Sequence, residues 1–210
     1  MMKTQIFPIN HLTESQLQQL SEATKAGAVV AWATDTVYGL AADAFNEEAI
    51  SRIYKLKGRP ASMPLQILVD SVQSARPLAQ WNDAALRLAE AYWPGALTLI
   101  LPPSAKGKNL CRGFKGLGLR VPNHAGLLRV LTYLKKPMAC TSANIHGEPV
   151  ITDETILTKT FDNKVDYILT DGNLSAVASS VVDMVAEPAL LREGAIFKKE
   201  LEQTLHVLLK

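Results

Sequence analysis

Ala28-Val29-Val30-Ala31-Trp32-Ala33 is an apolar run of strand length that passes directly into the hydroxyl-rich stretch Thr34-Asp35-Thr36-Val37-Tyr38-Gly39-Leu40. An apolar run with no alternation reads as a strand buried on both faces. Loops at strand ends are where α/β domains place ligands. The hydroxyls of Thr34, Thr36 and Tyr38 suit the polar groups of a small zwitterion. The same residues also read as a Thr/Asp turn carrying a core tyrosine.

Working outward, helix and strand signals alternate, with no internal repeat and no low-complexity segment. Thr13 caps a helix running to about Lys25, with Leu17 and Leu20 on one face and Gly27 as a stop. On the other side, Glu47 to Lys57 carries Ile50, Ile53 and Tyr54 on one face and ends at Gly58 and Pro60. Leu65 to Val69 reads as a strand and Asp83 to about Tyr92 as a helix. Trp93-Pro94-Gly95 turns the chain into a strand over Ala96 to Leu101, closed by Pro102-Pro103. The glycine- and lysine-rich stretch from Ser104 to Lys115 reads as a mobile surface loop. Strand patterning resumes over Leu117 to Val121, and a helix follows over Ala125 to Leu134. Further strands are expected near Met138 to Thr141, Tyr167 to Leu169, Ser180 to Val185 and Ala189 to Arg192, with a last helix over Lys199 to Leu208. The pattern is that of an α/β or mixed α+β domain.

Bulk properties bound the function. A chain of 210 residues is expected to form one large domain. Its 22 basic and 20 acidic residues leave a formal charge of +2, too balanced for gripping a polyanion along the whole surface but compatible with a local basic cleft. Cys111 and Cys140 lie in no metal-ligand spacing and read as free thiols of a reducing compartment. His146 gains no supporting spacing from His11, His124 or His206, so no metal site is expected. With no secretory-type start and no run of ~18 apolar residues, a soluble, cytoplasmic protein with no membrane contact is expected.

Four further features bear on ligands. Lys57 and Arg59 flank Gly58 at a helix C-terminus; the helix dipole favours cations there by ~0.3–1 kcal/mol, and a planar fork beside a point charge also complements phosphate oxygens. Strand alternation puts Cys140, Ser142 and Asn144 on one side of the strand ending near Thr141; an Asx or Ser turn leading to Gly147 fits the same residues. Arg120, before Pro122, and Arg192, before Gly194, each close a strand, as carboxylate or phosphate clamps do. These patches are far apart in sequence, and together they read as one composite site.

Taken in order, Thr34-Asp35-Thr36-Val37-Tyr38-Gly39-Leu40, Lys57-Gly58-Arg59-Pro60, Pro64-Leu65, Trp93-Pro94-Gly95 with Thr98, Arg120-Val121-Pro122, Ser142-Ala143-Asn144, Ser179-Ser180-Val181-Val182-Asp183 and Arg192-Glu193-Gly194 resemble the YrdC family of L-threonylcarbamoyladenylate synthases. The resemblance covers nearly the whole chain and is to the short, single-domain form, here residues 1–210. It implies an α/β fold: a twisted, mainly parallel open sheet with flanking helices around a large concave cleft. It also implies synthesis of threonylcarbamoyl-AMP from ATP, L-threonine and bicarbonate or carbon dioxide, with release of pyrophosphate, for threonylcarbamoyladenosine in tRNA. By the same resemblance Lys57, Arg59, Ser142, Asn144 and Arg192 serve ATP, with Lys57 and Arg59 stabilising charge in catalysis. Thr36, Arg120 and Ser179 hold threonine, Cys140 adds a backbone contact, and Mg²⁺ arrives with ATP. Downstream tRNA threonylcarbamoyl-transfer proteins are the implied partners, with weak RNA binding open.

The chain departs from the family pattern at His146, Met63, Leu68, Ser180 and Ala33. Leu68 stands where some members have histidine and removes one polar contact to threonine. Two other readings stand beside this one: a YrdC-like paralogue acting on a different carbamoyl or nucleotide substrate, and a non-catalytic RNA-binding protein. Lys57 and Arg59 are both expected to stand open to the cleft.

Overall fold

The computed structural model describes residues 3–174 and 177–210. The helices begin where the sequence supplies an acceptor for a free backbone N–H. Thr13 opens α1 (Glu14–Lys25) with a reciprocal capping box to Gln16. Asn46 opens α2 (Glu47–Lys57), Ser71 the short α3 (Val72–Ala75), and Asn82 opens α4 (Asp83–Tyr92). His124 caps α5 (Ala125–Leu134) through its ring, and Asp153 caps α6 (Glu154–Phe161). The last helix, α7, spans Lys198–Leu205. Gly58 ends α2 in the left-handed region at φ +60°, where a side chain would be strained.

Among the described residues ten strands form one open sheet: β1 (Gln5–Pro8), β2 (Val30–Trp32), β3 (Gly39–Asp43), β4 (Gln66–Leu68), β5 (Leu97–Leu101), β6 (Leu117–Arg120), β7 (Met138–Ser142), β8 (Tyr167–Thr170), β9 (Ser180–Asp183) and β10 (Ala189–Arg192). Their order is β1-β8-β2-β3-β7-β4-β6-β5-β9-β10. The expected α/β class, with an open sheet and flanking helices, is present. The pairing is more mixed than the mainly parallel sheet expected: four neighbours are parallel (β1–β8, β8–β2, β4–β6, β5–β9) and five antiparallel. The short links from β2 to β3 and from β9 to β10 explain two of these, because a parallel return needs a crossover of about a dozen residues or more.

Several elements differ from expectation. The Thr34–Leu40 patch was expected to be loop throughout, yet β3 begins at Gly39. β1, α3 and α6 carried no recognised signal. The 104–115 segment is not a free surface loop: Leu110 and Cys111 are buried, Lys108–Cys111 forms a turn of 3-10 helix, and Ser104 Oγ donates to Pro77 O at 2.7 Å. Among the described residues no helix is long and apolar enough to cross a membrane.

Register decides which side chains meet. Cys140 is the partner of Gln66, Ile67 pairs with Leu119, Gly118 with Ile100, and Ile100 with Asp183. Cross-strand partners point to the same face, so Cys140, Gln66, Gly118, Ile100 and Asp183 form one row across β7, β4, β6, β5 and β9. Two residues along each strand, Ser142, Arg120, Thr98 and Val181 join that face. The alternate residues Ile67, Leu97, Leu99, Leu117, Leu119, Ala139 and Val182 face the other way and are buried in the core. One face of this half of the sheet is therefore floor, and the other is core.

Candidate functional site

Above the floor lies a cleft of about 430 Å³ lined by residues from every motif region of the sequence. Thr34 to Gly39 form one wall, Arg59 and Pro64 a second, Phe114 and Lys115 a third, and Ser179 with Arg192 the far end. Four cations, Arg59, Lys115, Arg120 and Arg192, line the same space as one carboxylate, Asp183. Arg120 is buried and paired with Asp35, Arg59 is half-buried, and Lys115 and Arg192 are exposed; the surplus of positive charge that results suits an anionic ligand.

Arg120 is 2% exposed and held on three sides. Nε donates to Gly95 O at 3.0 Å, Nη1 to Thr36 Oγ1 at 3.3 Å, and Nη2 to Asp35 Oδ1 at 2.6 Å. A guanidinium has five N–H groups, so two remain for a ligand. Thr36 is fixed in turn by Thr34, whose Oγ1 lies 3.0 Å from Thr36 Oγ1 and accepts from the backbone N–H groups of Thr36 and Val37. Arg120→Ala should therefore cost about 3 kcal/mol of stability by leaving Asp35 unpaired, and raise the requirement for the carboxylate-bearing ligand more than for a nucleotide. Denaturant unfolding and the two KM values check this, and an equal loss for both ligands contradicts the clamp role.

Arg192 Nε donates to Ser179 O at 2.9 Å and Nη2 to Ser179 Oγ at 3.1 Å. Burial over Ser179, and then the positive charge of Arg120, push its pKa down. Arg59 Nη2 donates to Pro64 O at 3.0 Å, while its Nε is buried without any hydrogen-bond partner. Native buried donors are nearly always paired; of the three unpaired ones among the described residues, Trp32 Nε1, Trp81 Nε1 and Arg59 Nε, the guanidinium is the one whose residue lines the cleft.

Lys57 corrects an expectation. It does not line the cleft but is 1% exposed. Its Nζ donates to Ser142 O at 2.5 Å, Asn144 O at 2.6 Å and Asn144 Oδ1 at 3.0 Å, and Lys57 O accepts from His146 N at 2.7 Å. Asn144 is likewise inside the loop: Oδ1 accepts from Ser142 Oγ at 2.5 Å, and Nδ2 donates to Ile145 O and Glu148 O. Lys57 and Asn144 thus set the shape of the loop after β7, and Ser142 is the member of this group that reaches the cleft. The sequence marked the charge at Lys57 but not the carbonyls that return to surround it.

Burial, and then the positive charge of Arg59, push the Lys57 ammonium down to about 8. Above that pH the amine has two N–H groups for three acceptors, so activity is expected to fall through pH ~8 as the loop loosens. The stability effect has the opposite sign. Between about 8 and the ordinary lysine value near ~10.4 the unfolded chain binds more protons, so this group's contribution rises with pH. A pH–rate profile beside denaturant unfolding at each pH separates the two.

Cys140 lines the cleft, and burial pushes its thiol up to about 11, so at neutral pH it is an uncharged wall group. Tyr38 departs from the zwitterion-binding expectation: its hydroxyl donates to Gly172 O at 2.7 Å and accepts from Asp171 N at 3.0 Å. Thr36, Arg59, Arg120, Cys140, Ser142, Ser179 and Arg192 do converge on the cleft. Gln66, Phe114 and Lys115 were not singled out from sequence, the last two because they lie in the segment read as surface loop. Among the described residues no group of three or more His, Cys, Asp or Glu side chains is placed to hold a metal ion.

Comparison with known proteins places the chain in a family. The Sua5_yciO_yrdC family model, described as telomere recombination, matches residues 22–194. The threonylcarbamoyl-AMP synthase of Pyrococcus abyssi (strain GE5 / Orsay) is 36% identical over 185 residues, covering 86% of this chain and 54% of that protein. The threonylcarbamoyl-AMP synthase of Bacillus subtilis (strain 168) is 33% identical over 197 residues, covering 91% of this chain and 57% of that one. The chain thus spans about half the length of these curated relatives. A crystal structure of P. abyssi Sua5 complexed with L-threonine superposes with a TM-score of 0.90 at 33% identity, covering 98% of this chain and 62% of that one.

Proposed function

This chain is a member of the Sua5/YciO/YrdC family, and from that premise we propose that it makes threonylcarbamoyl-AMP from ATP, L-threonine and bicarbonate or carbon dioxide, releasing pyrophosphate. The observation that carries the reading is the meeting in one cleft of two unlike anion sites: Arg59 with its orphaned Nε, and Arg120 bonded to the Thr36 hydroxyl with Ser179 lining the same cleft. The first suits phosphate oxygens and the second a carboxylate next to donor groups. L-threonine, present in the P. abyssi Sua5 complex, has that second combination.

In the reaction, the uncharged threonine amine adds to carbon dioxide and loses a proton, giving a carbamate. A carbamate oxygen then bonds to the α-phosphorus of ATP as the bond to pyrophosphate breaks. Neither step needs an acid/base carboxylate pair. The protein's task is to align the two anions and to neutralise charge on the leaving group. Arg59, Lys115 and Arg192 serve the nucleotide phosphates, with Ser142 on the loop that Lys57 and Asn144 shape. Arg120 holds the threonine carboxylate, and Thr36, Ser179 and the Cys140 backbone surround the rest. Mg²⁺ borne by the nucleotide keeps several waters and needs few protein ligands. Asp183 fits that demand, since it lines the cleft and, among the described residues, only its Oδ1 is engaged, accepting from Val185 N. The product belongs to the supply of threonylcarbamoyladenosine in tRNA, with separate proteins making the transfer.

The test is incorporation of label: protein incubated with ATP, Mg²⁺, L-threonine and ¹³C-bicarbonate is expected to yield threonylcarbamoyl-AMP carrying the ¹³C. A ¹³C-labelled adenylate that lacks threonine, or no labelled product, contradicts the reading.

A further inference from the structure

Four side chains, three on separate strands and Ser179 just before β9, make one hydrogen-bond chain across the cleft floor. Arg192 Nη2 donates to Ser179 Oγ at 3.1 Å, the Ser179 and Thr98 hydroxyls meet at 3.2 Å, and Thr98 Oγ1 donates to Gln66 Oε1 at 2.9 Å. A hydroxyl has one proton. Since Thr98 gives its own to Gln66, it accepts from Ser179, whose proton is thereby spent as well. Toward a ligand, then, both hydroxyls only accept. Besides the Arg192 guanidinium at the far end, the member of the chain left with protons to give is the Gln66 amide: Gln66 is half-buried, lines the cleft, and Nε2 has no hydrogen bond within the protein among the described residues.

Gly118 leaves open the space that this chain crosses. β6 runs between β4 and β5, so the Thr98–Gln66 contact passes over it. A methyl at position 118 would make ordinary contacts, 3.4 Å from Thr98 Cγ2 and 3.8 Å from Gln66 Cα, whereas a larger side chain would stand between them. Of the two residues that β4 turns to this face, Gln66 and Leu68, only Gln66 is polar.

We propose that Gln66 is a substrate-contacting residue that selects and orients the amino-acid substrate, its Nε2 donating to an anionic carboxylate or carbamate oxygen while Ser179 and Thr98 accept from the substrate's N–H or O–H groups. This rests on the threonine reading above and deepens it. The chain of donors gives the cleft floor a polarity: oxygen of the substrate over β4, hydrogen-bond donors over β5 and the start of β9.

The experiment compares wild type with Gln66→Glu and Gln66→Met, by calorimetric titration with L-threonine and by KM for threonine and for ATP in pyrophosphate release. Glutamate still offers Thr98 an acceptor but replaces the amide donor with negative charge; methionine keeps the length and removes both roles. The expected result is a threonine KM and Kd raised about tenfold in Gln66→Met and more in Gln66→Glu, with the KM for ATP within about twofold. Threonine binding unchanged in both variants overturns the assignment, as does a Gln66→Glu protein that binds threonine as tightly as wild type, which would mean that a donor of the substrate faces this side chain. Wild type that binds ATP but shows no threonine titration overturns the substrate reading itself and the assignment with it. That outcome is told apart from the others by the wild-type trace alone.

Discussion

In a Lys57→Ala protein, adenylate formation is expected to fall at least ~100-fold and unfolding stability by about 3 kcal/mol. Both losses come from one cause. The Lys57 ammonium donates to Ser142 O, Asn144 O and Asn144 Oδ1, so alanine takes a charged donor from all three, leaves Ser142 O with only Asn144 N and Asn144 Oδ1 with only Ser142 Oγ as donors among the described residues, and opens a cavity where the stem lay. The backbone that presents Ser142 to the cleft then has no fixed conformation, and a displacement on the scale of 1 Å is enough to cost ~100-fold in an orientation-dependent reaction. Lys57→Met, which restores the stem but not the donors, should recover part of the stability and little of the activity. Wild-type stability in Lys57→Ala would mean that the loop is held by something else.

Arg59→Ala, two residues along the same motif, should give the complementary result: a fold within about 1 kcal/mol of wild type and a loss in kcat/KM for ATP of about 100- to 1000-fold. Its hydrogen bond within the protein is the one to Pro64 O, and its Nε is unpaired, so removal costs the protein little. What it removes is a cation aimed at the ligand. Denaturant unfolding and steady-state kinetics on the two variants side by side distinguish a side chain that shapes the site from one that meets the substrate. A strongly destabilised Arg59→Ala would show that the two have been assigned the wrong way round.

The elements that could be read from sequence are those whose local chemistry agrees with their packing. Ile50, Ile53 and Tyr54 fall on one face, Gly58 supplies the left-handed stop, and α2 spans Glu47–Lys57 as the pattern requires. β3 could not be read that way, because Gly39-Leu40-Ala41-Ala42-Asp43 neither alternates nor carries branched side chains; it is a strand because β2 and β7 pair with it on both sides. α6, Glu154-Thr155-Ile156-Leu157-Thr158-Lys159-Thr160-Phe161, is rich in β-branched residues of weak helix propensity. It is fixed by the Asp153 cap and by burial of Leu157 and Phe161.

The site divides along the same line. Arg120 and Arg192 were visible as cations closing apolar strands, and they do meet in the cleft. The role of Lys57 was not visible, since its partners lie 85 and 87 positions away and two of the three are backbone carbonyls, which every residue possesses. Gln66 was hidden for a different reason: its place is set by pairing with Cys140 and by the absence of a side chain at Gly118, relations between strands that no local spacing encodes.

The measurement that bears most directly on the account is pyrophosphate release from ATP and Mg²⁺ with L-threonine and bicarbonate supplied singly, together and not at all, the nucleotide products identified by mass spectrometry. The account predicts release only when both are present, with threonylcarbamoyl-AMP as the nucleotide product. Release that ignores threonine, or a folded protein that binds ATP and forms no such product, would contradict it.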